Sequence, residues 1–138
     1  MWEYSVDGAI AAKFVISENL KMKIFIICPV RNMTETENTT ILNYIKRLED
    51  NGNIVHYPPR NTNQNDECGI RICLDNSNAI KESDEVHVYW NKDSKGSLFD
   101  LGMAFSMGKT IRLINSKDII KTSYKSFENV LLYLHGKN

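Results

Sequence analysis

The sequence predicts an α/β three-layer sandwich with a mostly parallel sheet of four or five strands. Three observations predict it. Ile24-Phe-Ile-Ile-Cys28 is a continuous β-rich apolar run, the pattern of a strand covered on both faces. Downstream of it, stretches with helical and strand-like patterns alternate along the chain. Between Ser94 and Ile114 a Gly/Ser loop leads into an apolar helix and a β-rich run leaves it, which is half of a βαβ unit, and Asp100 sits in the first turns of that helix.

Taken in order, Ile24–Cys28 reads as the central strand, closed by Pro29. From about Thr36 to Asp50, Ile41, Leu42, Ile45 and Leu48 recur at helical spacing, and Asn51-Gly52 supplies the stop. Asn53 to Tyr57 reads as a short strand ended by Pro58-Pro59, and Arg60 to Glu67 as a polar loop facing substrate. A helix is expected from Gly69 to Glu82, then a strand from Asp84 to Trp90 in which Val86, Val88 and Trp90 alternate with His87 and Tyr89. Thr110 to Ile114 supplies the next strand. Phe127, Val130, Leu131 and Leu134 mark an amphipathic tail helix. Residues 1–22 read either as an edge strand at Ala12–Ile16 or as a short helix at Ala9–Phe14. Right-handed crossovers then give a flavodoxin/Rossmann-like sheet, with the loops after Cys28, Tyr57 and Trp90 gathered at one edge.

A chain of 138 residues suits a single domain, with 1–22 an N-terminal segment and 23–138 the core. The 17 basic and 17 acidic residues cancel, and no Lys/Arg block stands out, so neither nucleic acid nor an anionic membrane is an expected partner. The N-terminal apolar stretch, Gly8 to Ile16, is interrupted by Lys13 and too short to span a bilayer, so a cytoplasmic protein is expected. Cys28, Cys68 and Cys73 cannot all pair and have no zinc-like spacing to one another or to a His pair. Reduced thiols, no metal and no cofactor are therefore expected.

Several residues at the expected sheet edge have two readings each. Arg31, followed by Asn32, either holds a phosphate or carboxylate or pairs with Glu35 or Glu37. The loop of Asp93, Ser94, Lys95, Gly96 and Ser97 either cradles an anion at a helix start or lets Ser94 or Ser97 cap that helix. Asp100 is either favoured there by the helix dipole or, among Leu98, Phe99, Leu101, Met103 and Phe105, kept for chemistry. Tyr89 and Trp90 either stack on a planar ring or pack in the core. Asp75 and Asn76 either lean over the same edge or face solvent.

In their order these pieces resemble the nucleoside 2-deoxyribosyltransferase-like family, including its deoxynucleoside-monophosphate N-glycosidase branch. The resemblance covers Lys23 to Ile114: a strand ending in an Arg-bearing loop (Ile24 to Arg31), a helix and Gly before a second strand, a helix leading into Ser83-Asp-Glu-Val86, and Gly96-Ser-Leu-Phe-Asp-Leu-Gly-Met-Ala104 through Gly108-Lys109. The last piece is the most specific. The resemblance implies that Asp100, one methylene shorter than the usual Glu, is the nucleophile of a reaction like retaining glycoside hydrolysis, and that Ser94 and Arg31 favour a nucleotide by binding its phosphate. It also implies a homodimer or higher homo-oligomer. Two positions depart from the pattern. Phe25 stands where the family usually has a Tyr that orients the nucleophile, and Asn76 stands where an acid assists the leaving base, with Asp75 one residue away. Leaving-group protonation is then weak, displaced to Asp75 or lost.

The expected function is an N-glycosyl-bond hydrolase or transferase acting on a nucleoside or nucleotide, with Asp100 as nucleophile and Asp75 or Asn76 assisting the base. Arg31, Asn32, Asp93 and Ser94 are the expected substrate-binding residues, joined by Gly96, Ser97, Tyr89 and Trp90. The alternative is a non-catalytic nucleotide- or ADP-ribose-type binding module on the same fold, which Phe25 and Asn76 favour.

Overall fold

The computed structural model describes residues 21–138. In chain order its elements are β1 (Lys23–Ile27), α1 (Glu35–Asp50), β2 (Ile54–His56), the short α2 (Pro58–Asn61), α3 (Ile70–Glu82), β3 (Glu85–Val88), α4 (Lys95–Ser106), β4 (Thr110–Leu113), a 3-10 turn at Ser116–Asp118 and α5 (Phe127–Gly136). The four strands form one parallel sheet in the order β2-β1-β3-β4. The two readings of the N-terminal segment, at Ala9–Phe14 and Ala12–Ile16, lie outside the described residues.

Period-two alternation along β1 divides the core. Ile24 and Ile26 face α1, packing with Ile41 and Ile45, and this cluster continues through Val55 and Tyr57. Phe25 and Ile27 face the opposite side, in one cluster with Ile80 of α3, Leu101 and Ala104 of α4 and Leu131 of α5. Helices thus cover both faces, as the apolar run at β1 predicts. Helix α1 starts at Glu35 because Thr34 and Glu37 form a reciprocal capping box, and it stops where Gly52 takes a φ of 90°.

β1 starts and ends one residue earlier than expected, and β2, β3 and β4 are shorter than expected. Pro29 has no N–H to continue β1. The amide of Tyr57 donates to Asn61 Oδ1 at 2.8 Å, and that of Trp90 to Asn115 Oδ1 at 2.8 Å. The expected loop from Arg60 is also corrected: Pro58 and Pro59 do more than end β2, since proline's fixed φ suits a first helical turn, and they open α2. Irregular chain resumes at Thr62. The polar side of β3 is buried as well, because His87 is held between Tyr44 Oη of α1 at 2.6 Å and Glu85 at 2.9 Å, and Arg112 of β4 also binds Glu85. Among the described residues no helix is long and apolar enough to cross a membrane.

Candidate active site

Parallel strands deliver their carboxyl ends to one edge, and β1 and β3 are the neighbours between which the strand order reverses. A cavity of about 740 Å³ opens at that switch point. Its wall is drawn from the segments after β1 (Cys28 to Asn32), after β2 (Pro58, Gln64) and after β3 (Asn91, Asp93 to Ser97), closed by α3 and Asp100 of α4. The three loops expected to gather there do so.

Helix geometry selects which side chains reach the cavity. On α4, Ser97, Leu101 and Ala104 form the buried stripe and Asp100 lies at its border, half-buried and facing the cavity. Burial raises the Asp100 carboxyl from its ordinary value to about 6, a rise opposed by a hydrogen bond from Asn76 Nδ2 at 3.4 Å. Cys28 lies in the same wall. Its own burial and the nearby Asp100 charge push its thiol up to about 12, so it stays neutral. Gly69, the N-cap of α3, and Ile72, Cys73 and Asn76 on the helix follow i, i+3, i+4, i+7 spacing along the cavity.

Asn76 is itself held from behind. Thr62 Oγ1 donates to Asn76 Oδ1 at 2.8 Å, and His56 Nε2 lies 2.8 Å from the same Thr62 oxygen. His56 is stacked on Phe25, with ring centroids 5.2 Å apart and planes at 11°. Burial, followed by the Arg60 charge, lowers the His56 pKa and keeps its ring neutral. Thr62 and Asn76 are both buried.

The polar end of the cavity lies at the start of α4. Ser94 is the N-cap: its hydroxyl accepts from the Ser97 amide at 3.2 Å and donates to Ser97 Oγ at 2.8 Å. The capping role does not remove Ser94 from the wall, and the first-turn amides of Lys95 and Gly96 have no carbonyl behind them. Arg31 lines the same cavity, while Glu37 is engaged with Thr34. Asn32 beside it takes a left-handed φ of 58°, a conformation that Asn tolerates better than most residues.

Three of the residues singled out in the sequence do not line the cavity. Asp75, about 100° around α3 from Asn76, turns to solvent and pairs with Arg71 at 2.8 Å. Tyr89 packs in the α1-side cluster instead of at the mouth. Trp90 packs in the opposite cluster, its indole N–H donating to Glu128 at 2.9 Å. Sequence reasoning missed Thr62, His56 and Cys73. Helical spacing from Asn76 locates Cys73, but no sequence pattern brings Thr62 or His56 to the site.

The raised Asp100 pKa has a consequence for stability. Between about pH 4 and 6 the folded state binds the Asp100 proton more tightly than the unfolded chain, so stability falls as pH rises through that window and stays lowered above it. Asp100→Asn is therefore expected to stabilise the fold at pH 7.5 by on the order of 1–3 kcal/mol, a gain that disappears near pH 4. Urea unfolding at the two pH values measures it. Equal stability of variant and parent at pH 7.5 would contradict the burial argument.

No family model matches the sequence, and no curated protein sequence matches it. Solved structures do. The chain is similar to the 2-deoxyribosyltransferase of the psychrotolerant bacterium Bacillus psychrosaccharolyticus at 24% identity and a TM-score of 0.54, over 66% of this chain and 70% of that one. It is also similar to a CMP N-glycosidase from Clostridium botulinum at 29% identity and a TM-score of 0.49, over 66% and 69% of the two chains. On the first of these comparisons, the chain adopts the nucleoside 2-deoxyribosyltransferase fold, as the sequence resemblance implies.

Proposed function

We propose that this protein breaks the N-glycosidic bond of a nucleoside or nucleotide, passing the sugar to water or to a second base, with Asp100 as nucleophile. The observation that carries the reading is the half-buried Asp100 carboxylate, which meets Asn76 in the wall of the cavity at the β1/β3 switch point. Its pKa of about 6 leaves it ionised at neutral pH yet poorly solvated, which favours attack on an electron-poor carbon. Two further features support the reading: the match of this helix to the family pattern, and a fold shared with a 2-deoxyribosyltransferase. Arg31, Lys95 and the α4 amides would bind a 5′-phosphate, so a nucleotide is favoured over a free nucleoside.

In this reaction an Asp100 oxygen attacks C1′, the C1′–N bond breaks, and its electron pair leaves with the base. Water or an acceptor base then displaces Asp100 from C1′. The carboxylate must be ionised, so base release is expected to fall about tenfold per pH unit below about 6. Incubation with a panel of ribo- and deoxyribonucleotides that includes members with a neutral and with a cationic base, with and without acceptor bases, followed by chromatography of free base, tests the activity and its pH profile. Nucleotide binding without base release from any member would leave the binding-module reading in its place.

A further inference from the structure

The direction of the hydrogen-bond chain behind Asp100 says what kind of base this site can release. An ionised carboxylate only accepts, so the Asn76 group facing Asp100 must be its NH2, as the Nδ2 to Oδ2 contact has it. The Asn76 oxygen then faces Thr62 and takes the single Thr62 hydroxyl hydrogen, leaving Thr62 to accept from the Nε2–H of His56. Every hydrogen in the chain is assigned from the Asp100 end, and with Thr62 and Asn76 buried the amide is held in one orientation. What Asn76 presents beside the nucleophile is a donor that cannot give up its proton.

Among the described residues no neighbouring carboxyl replaces it. Asp75, the carboxyl nearest in sequence, is turned to solvent on Arg71. Among the described residues, the cavity's carboxyls are Asp100, used as nucleophile, and Asp93, in the exposed loop at the phosphate end. Resting on the N-glycosidic reading above, we propose that the substrates are nucleotides whose base already carries a fixed positive charge, of the N-ribosylpyridinium or N7-alkylpurine class. When the C1′–N bond of such a substrate breaks, its electron pair neutralises the cationic ring, the base leaves uncharged, and no proton is supplied. Water attacking the glycosyl ester completes the cycle and releases one proton to solvent. The charges of the cavity match such a substrate, with Arg31 and Lys95 for the phosphate and Asp100 for the cationic ring. Phe99, 57% exposed, lies in the same wall, and an aromatic ring there favours a cationic base.

The test compares guanosine 5′-monophosphate with N7-methylguanosine 5′-monophosphate, and cytidine 5′-monophosphate with nicotinamide mononucleotide, using the ribo and deoxyribo forms of the first pair. Each kcat/KM is divided by the uncatalysed rate of the same substrate. The cationic member of each pair is expected to show the greater acceleration, by about 100-fold, the span that a general acid supplies to neutral bases in enzymes that have one. Asn76→Asp is expected to narrow the ratio by accelerating release of the neutral base, with a new pH dependence in which a protonated acid is required. Equal acceleration of neutral and cationic substrates by the unsubstituted protein overturns the proposal, and so does an Asn76→Asp variant that is folded by circular dichroism but has an unchanged ratio. If neither member of either pair releases base, the N-glycosidic reading itself fails.

Discussion

Replacing Asp100 by Ala is expected to lower the rate of base release by on the order of 10⁴-fold or more, because the covalent route disappears and, among the described residues, no second carboxylate occupies its place. Binding should survive. The phosphate end of the cavity depends on Arg31, Lys95 and the start of α4, none of which the substitution touches, and the Ser94 cap remains engaged with Ser97. The expected signature is thus a collapse of kcat with a Kd for product nucleotide changed by less than about tenfold, since removal of a buried charge alters the pocket far less than removal of the nucleophile. Rapid-quench assays and calorimetry on the same preparation read the two quantities. Release that persists in Asp100→Ala would move the nucleophile to another group. A lost Kd would mean that Asp100 holds the cavity together instead of reacting in it. The Asp100→Asn variant separates the cases again, because it is expected to be inactive yet more stable than the parent at neutral pH.

How far this site is legible in the sequence follows from the range of the forces involved. β1 and α4 are readable because their signals are local: an unbroken apolar run over Ile24 to Cys28, and a Gly/Ser loop that leads into an apolar helix. The choice between Asp75 and Asn76 is half legible. Spacing along the chain permits either, and only the placement of α3 against α4 shows that Asn76 is turned inward and Asp75 outward. Tyr89 and Trp90 misled for a related reason, since an aromatic residue at a strand end reads the same whether its partner is a ligand or a helix. Thr62 and His56 were not legible at all. They lie in or beside polar chain with no periodicity, and their role arises from hydrogen bonds 14 and 6 residues long in sequence that exist only once α2 and α3 are docked. The start of α2 is a lesson of another kind: a proline pair ends a strand and opens a helix with the same fixed φ, and only the next turn decides which is seen.

The largest expected effect on stability lies behind the site, at Phe25. The side chain is fully buried in the middle of β1, which is itself flanked by β2 and β3, and its ring lies flat against His56. Phe25→Ala removes that ring from a close-packed layer that includes Ile80 and Leu101 and leaves a cavity that rigid strands on both sides cannot close. A loss of about 3–5 kcal/mol is expected. That is a large share of the roughly 5–15 kcal/mol by which such domains are stable. Phe25→Leu, which keeps most of the volume, should cost about 1 kcal/mol. Phe127→Ala, an equal truncation at a ring 60% exposed on α5, should cost about 0.5 kcal/mol or less, so burial and not aromatic character is what the series measures. Urea unfolding of the three variants gives the order, and similar losses for Phe25→Ala and Phe127→Ala would overturn it. The position also links stability to chemistry. Where the family resemblance has a Tyr to orient the nucleophile, this chain has a ring without a hydroxyl, and that ring instead holds His56 in place behind Thr62 and Asn76. Phe25→Leu, stable enough to assay, is therefore expected to lose activity out of proportion to its loss of stability, because His56 keeps its neighbours in the sheet but not the flat surface that fixes its ring.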